Sequence, residues 1–163
     1  MLLLDNMINK TNINHTEFWY PHVTVATVVE KDGKYLLVQE LSAGHLVYNQ
    51  PAGHLEKGET LTEAALRETL EESRWQVKIK GIVGTTLFTS PVNGITYHRT
   101  TFYAEAVEER LDLSLDTGIA RAVWMSYQEI LSLSDKMRSE RVIQTINQYR
   151  AGHRYPLEFI YGD

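Results

Sequence analysis

Residues 53–72 constrain the fold of this 163-residue chain more than any other segment. Within them, residues 60–72 are mostly Ala, Leu, Glu and Arg and contain no glycine or proline, which predicts a helix. Gly53 and Gly58 bracket the short loop that leads into this helix, and glycine lets a backbone turn sharply or approach a ligand closely. The sequence therefore predicts a tight loop–helix unit against which the rest of the chain packs.

Three glutamates share one side of the predicted helix. Glu68, Glu71 and Glu72 are three or four positions apart, so they fall within an arc of about 100°. Like charges at this spacing destabilise a helix unless a cation neutralises them, and oxygen ligands favour Mg²⁺, Mn²⁺ or Ca²⁺ over zinc. The spacing predicts a divalent-cation site, which a backbone carbonyl near Gly53 could complete.

A solvated acidic face is the common alternative for a glutamate-rich helix. Here Leu61, Ala64 and Ala65 continue the same arc toward the N-terminal end, whereas Leu66 and Leu70 lie on another side. This distribution indicates a helix that packs on more than one face. It favours the cation site over a solvated surface.

Strand-like segments and turns make up most of the remaining chain. The apolar runs at residues 22–29 and 35–38, separated by turn residues 31–34, predict a hairpin. Further strands are predicted at residues 77–82, 85–89, 96–107 and 122–125, and further helices at residues 126–131 and 140–149. Several strands with one early and two late helices predict a mixed α+β sandwich.

Size and charge limit the classes of function. The chain is long enough for one core and too short for two ordinary domains, so we expect a flexible arm over residues 1–17 and a single domain over residues 18–163. The net charge of -5 argues against a nucleic-acid polymer as partner. The absence of cysteine excludes disulfides and thiolate chemistry. Asp5 and Asn6 interrupt the apolar N-terminus, so we expect no membrane association and a cytoplasmic location.

The loop–helix unit contains the string Gly53-His-Leu-Glu-Lys-Gly-Glu59 and, after seven residues, Arg67-Glu68-Thr-Leu-Glu71-Glu72. It resembles the Nudix box, whose pattern is G-x5-E-x7-R-E-U-x-E-E-x-G-U. Thr69 stands where a large apolar residue is usual, and we expect it to weaken one core contact. Arg74 stands where glycine is usual, and we expect a non-glycine left-handed residue or a longer last turn. The resemblance implies a Nudix-like α/β/α sandwich with a mixed central sheet.

Three shorter strings extend the resemblance over residues 21–160. They are Pro21-His-Val-Thr-Val-Ala26, Asn49-Gln-Pro-Ala-Gly-His-Leu-Glu56 and Arg154-Tyr-Pro-Leu-Glu158. They are similar to the NudJ-type phosphatase branch, which acts on nucleoside di- and triphosphates and on thiamine-pathway pyrophosphates. The resemblance implies a hydrolase that cleaves phosphoanhydride bonds of such small molecules, including thiamine pyrophosphate and hydroxymethylpyrimidine pyrophosphate, and releases phosphate.

The resemblance also implies roles for the polar residues of the box. Glu68, Glu71 and Glu72 would bind Mg²⁺, with Mn²⁺ as an alternative, and the Gly53 carbonyl would be a backbone ligand. The cation would neutralise the phosphates and lower the pKa of the attacking water. Glu71 or Glu72 could accept the proton of that water.

Arg67 and Glu59, together with Gly58, would brace the loop and orient the ligands, which makes Arg67 part of the catalytic unit. The general base stays unassigned, because other Nudix enzymes draw it from a later loop, where an acid is common six residues before the position of Trp124. That position holds Gly118 here. Asp116 and Glu105 are the nearest acids, and an ordinary turn or surface role is the better interpretation of each.

The substrate contacts are predicted more loosely. Tyr20, Tyr48, Asn49 and Gln50 lie at strand starts or before the box, where they could stack on and hydrogen-bond to a ring-bearing leaving group. Arg99 could contact a phosphate. We expect a monomer or homodimer with a small-molecule substrate.

Three alternatives stay open. The chain could be a pyrophosphatase that cuts nucleotides or nucleoside diphosphate sugars, such as ADP-ribose, between the α and β phosphates. It could be a non-catalytic Nudix-fold metabolite sensor, although such modules commonly lack a box carboxylate and all three are present here. A calcium-stabilised structural protein is the third alternative.

Overall fold

Strand β1 (His22–Lys31) lies at the centre of the computed structural model, which describes residues 19–161. All residues from Thr24 to Val29 are buried. This strand pairs in parallel with β6 (Thr96–Glu109) and antiparallel with both β2 (Lys34–Ser42) and β4 (Ala52–His54). The arm predicted for residues 1–17 lies outside the described residues.

The other elements complete a seven-stranded mixed sheet with helices on both faces. They are β3 (His45–Asn49), α1 (Leu61–Ser73), β5 (Trp75–Thr89), β7 (Ile119–Ser126), α2 (Tyr127–Ser132), α3 (Arg141–Arg150) and two 3-10 turns (Ser134–Lys136 and Leu157–Phe159). The strand order is β3-β2-β1-β6-β5, with β4 beside β1 and β7 beside β2. No helix in the described part of the chain is long and apolar enough to cross a membrane.

Alternation along β1 decides which helix covers which face of the sheet. Val25 belongs to the core cluster that contains Ala64 and Ala65 of α1. Val28 belongs to a second cluster, which contains Ile146 of α3. One face of β1 therefore carries the predicted helix of the box and the other carries α3, which confirms the predicted α/β/α sandwich with a mixed sheet.

Both ends of α1 follow from local chemistry. Thr60 caps the start of the helix: its side chain accepts from the Glu63 N–H, and the Glu63 side chain accepts from the Thr60 N–H. At the other end Arg74 adopts a left-handed conformation with φ of 63°, and its N–H donates to the Leu70 carbonyl at 2.7 Å. Of the two predicted endings, the non-glycine left-handed residue is confirmed.

Thr69 makes a polar contact where the family pattern has an apolar one. The residue is fully buried, and its hydroxyl hydrogen-bonds to the Ala65 carbonyl at 2.7 Å and to the Thr27 hydroxyl of β1 at 2.9 Å. A buried hydroxyl that is satisfied in this way avoids the desolvation cost of an unpaired one. The contact between α1 and β1 is therefore kept by a hydrogen bond instead of an apolar side chain.

The structure joins two predicted strands into one. The sequence predicts separate strands at residues 77–82 and 85–89 with a turn at Gly84, but β5 continues from Trp75 to Thr89. The pairing of β5 with β6 shifts register between Ile82 and Gly84. Gly84 therefore marks an irregularity inside a strand, which is the other common place for a strand glycine. The other predicted strands and helices lie where predicted, with ends shifted by up to four residues.

Candidate active site

Arg67 connects three parts of the loop–helix unit. Its Nε and Nη2 donate to the two carboxylate oxygens of Glu59 at 2.5 and 2.9 Å, a bidentate geometry. Nη2 also donates to the His54 carbonyl at the end of β4, at 3.0 Å. Hydrogen bonds from Arg67 hold the pKa of Glu59 at about 2, so this pair stays charged at neutral pH. The loop is thereby fixed to both β4 and α1.

Gly58 supplies the turn inside this loop. Its φ is 93°, a conformation that residues with a Cβ rarely adopt. Glu59 directly follows, and its Oε2 accepts a hydrogen bond from the Glu56 N–H at 3.0 Å. The glycine thus sets the path that brings Glu59 to Arg67.

The same guanidinium aligns two of the three glutamates. Arg67 Nη1 donates to Glu68 Oε1 at 2.8 Å and to Glu71 Oε2 at 3.2 Å. The Glu68 side chain is largely buried, whereas that of Glu71 is 47% exposed. The structure therefore presents one carboxylate of the pair to solvent and holds the other against the sheet.

Gly53 lies directly beside Glu68. A Cβ placed on Gly53 would be 2.1 Å from the Glu68 carboxylate carbon, so no other residue fits here without moving that carboxylate. The next glutamate along the helix reaches the same strand, because Glu72 Oε2 accepts a hydrogen bond from the Ala52 N–H at 2.8 Å. Glu68 and Glu72 thus converge on β4, as the helical spacing predicts.

Burial makes these two carboxylates costly to ionise. It raises the pKa of Glu68 and raises the pKa of Glu72 to about 8, and the neighbouring charges of Glu40 and Glu68 add to the effect on Glu72. A bound cation would remove this cost. Carboxylates whose pKa is raised in this way are common at functional sites.

The residues fit a hard divalent cation through their donor chemistry. Among residues 19–161, no group of three or more acidic, histidine or cysteine side chains is arranged closely enough to hold a metal ion by itself. What the structure does provide is an all-oxygen set: the two partly buried carboxylates of Glu68 and Glu72, the half-exposed Glu71 and the glycine at Gly53. Oxygen-only sets of this kind suit Mg²⁺ and Mn²⁺.

Asp116 and Glu105, the two later acids considered as the general base, lie in different parts of the structure. The Asp116 N–H donates to the Glu71 carbonyl at 2.9 Å, and the charge of Asp116 acts on Glu68. Glu105 instead pairs with Lys80 at 3.5 Å on the surface of the sheet. Of the two, Asp116 is the one beside the glutamates.

Glu40 is a further acid at this site that the sequence interpretation missed. Its carboxylate is buried and pairs with Arg138, and its second oxygen, Oε1, has no hydrogen-bond partner among the described residues. The sequence does contain a signal for this residue, because Glu40 is an acid two residues after the apolar run at residues 35–38.

The five residues predicted to contact the substrate differ in their exposure and in whether they line a cavity. Tyr20 is 72% exposed, whereas Tyr48, Asn49 and Gln50 are buried. Gln50 is already engaged, since its Nε2 donates to the Val142 carbonyl at 2.8 Å. Arg99 lines a cavity of about 630 Å³ between β5, β6 and α3, and the other four do not. Burial and the nearby Arg138 and Arg141 lower the pKa of Arg99 to about 10, so it remains a cation at neutral pH.

Comparison with known proteins gives the family. A NUDIX domain model matches residues 20–146. Phosphatase NudJ of Escherichia coli (strain K12) is 40% identical over 140 residues, which make up 86% of this chain and 90% of that protein. A NUDIX hydrolase from Nitrosomonas europaea superposes with a TM-score of 0.86 at 44% identity, over 88% of this chain and 98% of that one.

A MutT protein from Methanosarcina mazei Go1 shares the fold at 19% identity, with a TM-score of 0.66 over 84% of this chain and 99% of its own. The family match covers the box, β4 and the whole of α1. The chain therefore belongs to the Nudix hydrolase family, with NudJ phosphatases among its relatives, and it is a hydrolase of phosphoanhydride bonds.

Proposed function

We propose that this chain removes the terminal phosphate from small organic di- and triphosphates with the help of Mg²⁺ or Mn²⁺. Candidate substrates are nucleoside di- and triphosphates, thiamine pyrophosphate and hydroxymethylpyrimidine pyrophosphate. The observation that carries the proposal is the burial of Glu68 and Glu72 against β4 beside Gly53. The name of the 40% identical relative, a phosphatase, supports removal of phosphate.

The proposed ligands of the cation are Glu68, Glu71, Glu72 and the Gly53 carbonyl. A divalent cation held there supplies charge neutralisation of the phosphates and a lower pKa for the attacking water. Arg67 acts as a positioning residue, because its guanidinium fixes Glu68 and Glu71 relative to each other.

The remaining roles divide between proton transfer and phosphate binding. Glu71 is the most exposed of the three glutamates and can accept the proton of the attacking water. We assign a phosphate contact to Arg99, because it is a cation that lines the cavity and it lacks a carboxylate partner within 4.0 Å among the described residues. Tyr48, Asn49 and Gln50 are buried in the segment that leads into β4. We assign them a structural role in holding β4 in place.

A product analysis tests the proposal. The purified chain is incubated with Mg²⁺ and each of ADP, ATP, thiamine pyrophosphate, hydroxymethylpyrimidine pyrophosphate, ADP-ribose and a dinucleoside polyphosphate. Orthophosphate is the expected first product from ADP, ATP and the two pyrophosphates, and ATP is the decisive substrate because cleavage between its α and β phosphates would release pyrophosphate. ADP-ribose and the dinucleoside polyphosphate have no terminal phosphate and should stay intact. Release of pyrophosphate, or of two monophosphates from ADP-ribose, would instead establish the pyrophosphatase alternative.

A variant pair tests whether the glutamates carry the reaction. Glu71→Gln keeps the shape of the side chain and removes its charge, and we expect turnover to fall by about 100-fold or more. Glu108→Gln is the matched control, since Glu108 is an exposed acid on β6. Equal turnover in the two variants would refute the assignment, and absence of turnover in the wild type would support the sensor or the structural alternative.

A further inference from the structure

The cavity beside Arg99 has the charge of an anion-binding site. Its described lining includes two arginines, Arg99 and Arg141, and no acidic residue. Both guanidiniums lie over the ring of Phe88, at 5.5 and 4.0 Å from its centroid. Neither forms an ion pair with a carboxylate within 4.0 Å in the described part of the chain. Two adjacent cations without an acidic partner favour a negatively charged ligand.

Two unpaired polar atoms point to the place of that ligand. Arg99 Nε is buried and has no hydrogen-bond partner among residues 19–161, and the same holds for the hydroxyl of Thr24. Thr24 of β1 and Arg99 of β6 are direct partners in the parallel ladder, so their side chains project from the same face of the sheet. Buried donors rarely remain unsatisfied, and acceptor oxygens of a ligand would satisfy the guanidinium of Arg99, which lines the cavity. Thr24 does not line the cavity and marks only the strand position beside Arg99.

This pair lies close to the proposed cation site. In the register of the sheet, Thr24 is opposite Arg99 on one side and opposite His54 on the other, and His54 follows Gly53. Two strand spacings separate His54 from Arg99, which is about 10 Å. The carboxylates of Glu40 and Glu72 are near enough to act electrostatically on Arg99. A diphosphate with one end at the glutamates would extend toward Arg99.

The far wall of the cavity comes from a segment outside the family match. His153, Tyr155 and Phe159 line the cavity, whereas the NUDIX model ends at residue 146. Two hydrogen bonds of 2.8 Å between the backbones of Ile82 and Tyr155 hold this segment against β5. Gln144 and Gln148 of α3 line the same cavity. The wall combines flat apolar surface with hydrogen-bonding groups, as a heterocyclic ligand requires.

We propose that this cavity holds the leaving group of the reaction, an organic monophosphate with a heterocyclic ring, with its phosphate on Arg99 and its ring against Tyr155 and α3. The assignment rests on the proposed function for the direction of cleavage. Water attacks the terminal phosphorus, and the bond from that phosphorus to the bridging oxygen breaks. The bridging oxygen leaves with the organic monophosphate, and the terminal group leaves as orthophosphate.

Gly84 allows the cavity to be filled without disturbing the fold. It lines the cavity, its φ is not in the left-handed region, and a Cβ placed on it meets no atom within 4 Å. Gly84→Val therefore adds volume toward the ligand. Lys78→Val is the control, because Lys78 is exposed on the same strand and does not line the cavity.

The test measures binding without cation or turnover. AMP, thiamine monophosphate and inorganic phosphate are titrated in EDTA into the wild type, Gly84→Val, Lys78→Val and Arg99→Gln, and thermal melting confirms folding. We expect saturable binding of AMP or thiamine monophosphate, a loss of about tenfold or more in Gly84→Val and in Arg99→Gln, and no loss in Lys78→Val. Inorganic phosphate should bind equally to the wild type and Gly84→Val, and more weakly to Arg99→Gln.

The proposal fails if neither monophosphate binds the wild type or if Gly84→Val binds both as well as Lys78→Val does. Steady-state kinetics on thiamine pyrophosphate and ADP distinguish a failure of the proposed function from a failure of the cavity assignment. A raised KM with little change in kcat in Gly84→Val supports the cavity assignment. Binding that behaves as expected in a chain that releases no orthophosphate would overturn the proposed function alone, and normal KM values in Gly84→Val would overturn the cavity assignment alone.

Discussion

Gly53 and Glu68 occupy adjoining space, since a Cβ on Gly53 would lie 2.1 Å from the Glu68 carboxylate carbon. Gly53→Ala must therefore displace that carboxylate. The carboxylate is the end of a flexible side chain, so we expect the fold to persist while affinity for Mn²⁺ falls by about tenfold or more, measured by titration calorimetry.

The control for this prediction is a double-variant cycle. In a Glu68→Ala background there is no carboxylate to displace, so Gly53→Ala should add little further loss of cation affinity. Equal losses in both backgrounds would show that Gly53 acts independently of Glu68.

Glu59 determines how firmly Arg67 is held. Glu59→Gln removes the charge from the bidentate pair while Arg67 keeps its contacts with Glu68 and Glu71. We expect turnover and cation affinity to fall by about 10- to 100-fold, the usual effect of losing a residue that orients metal ligands. Glu56→Gln, in the same loop and exposed, should behave as the wild type. A Glu59→Gln variant with the kcat and cation affinity of Glu56→Gln would contradict a bracing role.

The hydroxyl pair of Thr69 and Thr27 predicts a measurable coupling in stability. Thr69→Val leaves the Thr27 hydroxyl without this partner in the core, which should lower the free energy of unfolding by about 1–2 kcal/mol. Replacing both threonines with valine should recover most of that loss, because neither hydroxyl is then left unpaired. Urea unfolding of the two single variants and the double variant measures the coupling. Additive losses would show that the two hydroxyls do not depend on each other.

Arg74 ends α1 in a conformation that strains any residue with a Cβ. We expect Arg74→Gly to be more stable than Arg74→Ala by about 1 kcal/mol, since both lose the ion pair with Glu109 and glycine alone relieves the left-handed strain. Thermal unfolding of the two variants measures this difference in stability. Higher stability of the alanine variant would mean that another contact determines how the helix ends.

Local patterns were sufficient for the loop–helix unit, where the proposed cation site lies. Helical spacing predicted that Glu68 and Glu72 share a face of α1, and in the structure both side chains lie against β4. Gly58 was predicted to shape the loop, and its φ of 93° agrees. These features depend on residues close in sequence, whose geometry a helix or a turn fixes without reference to the rest of the chain.

Features that depend on strand register were not predictable in the same way. The contact between Thr24 and Arg99 joins residues 75 positions apart, and it follows from the parallel pairing of β1 with β6. The Thr27–Thr69 hydrogen bond requires the packing angle of α1 on β1. Gly84 predicted a turn because a single glycine in a strand-like run indicates either a turn or an irregularity, and only the pairing with β6 distinguishes them.

The central claim is that Glu68, Glu71 and Glu72 of α1 hold the cation that drives hydrolysis. Its most direct test is Mn²⁺ titration and Mg²⁺-dependent orthophosphate release for the wild type, Glu72→Gln and the control Glu108→Gln. We predict that Glu72→Gln binds Mn²⁺ at least about tenfold more weakly and loses most of its turnover, while Glu108→Gln matches the wild type. Unchanged Mn²⁺ affinity and turnover in Glu72→Gln would contradict the account.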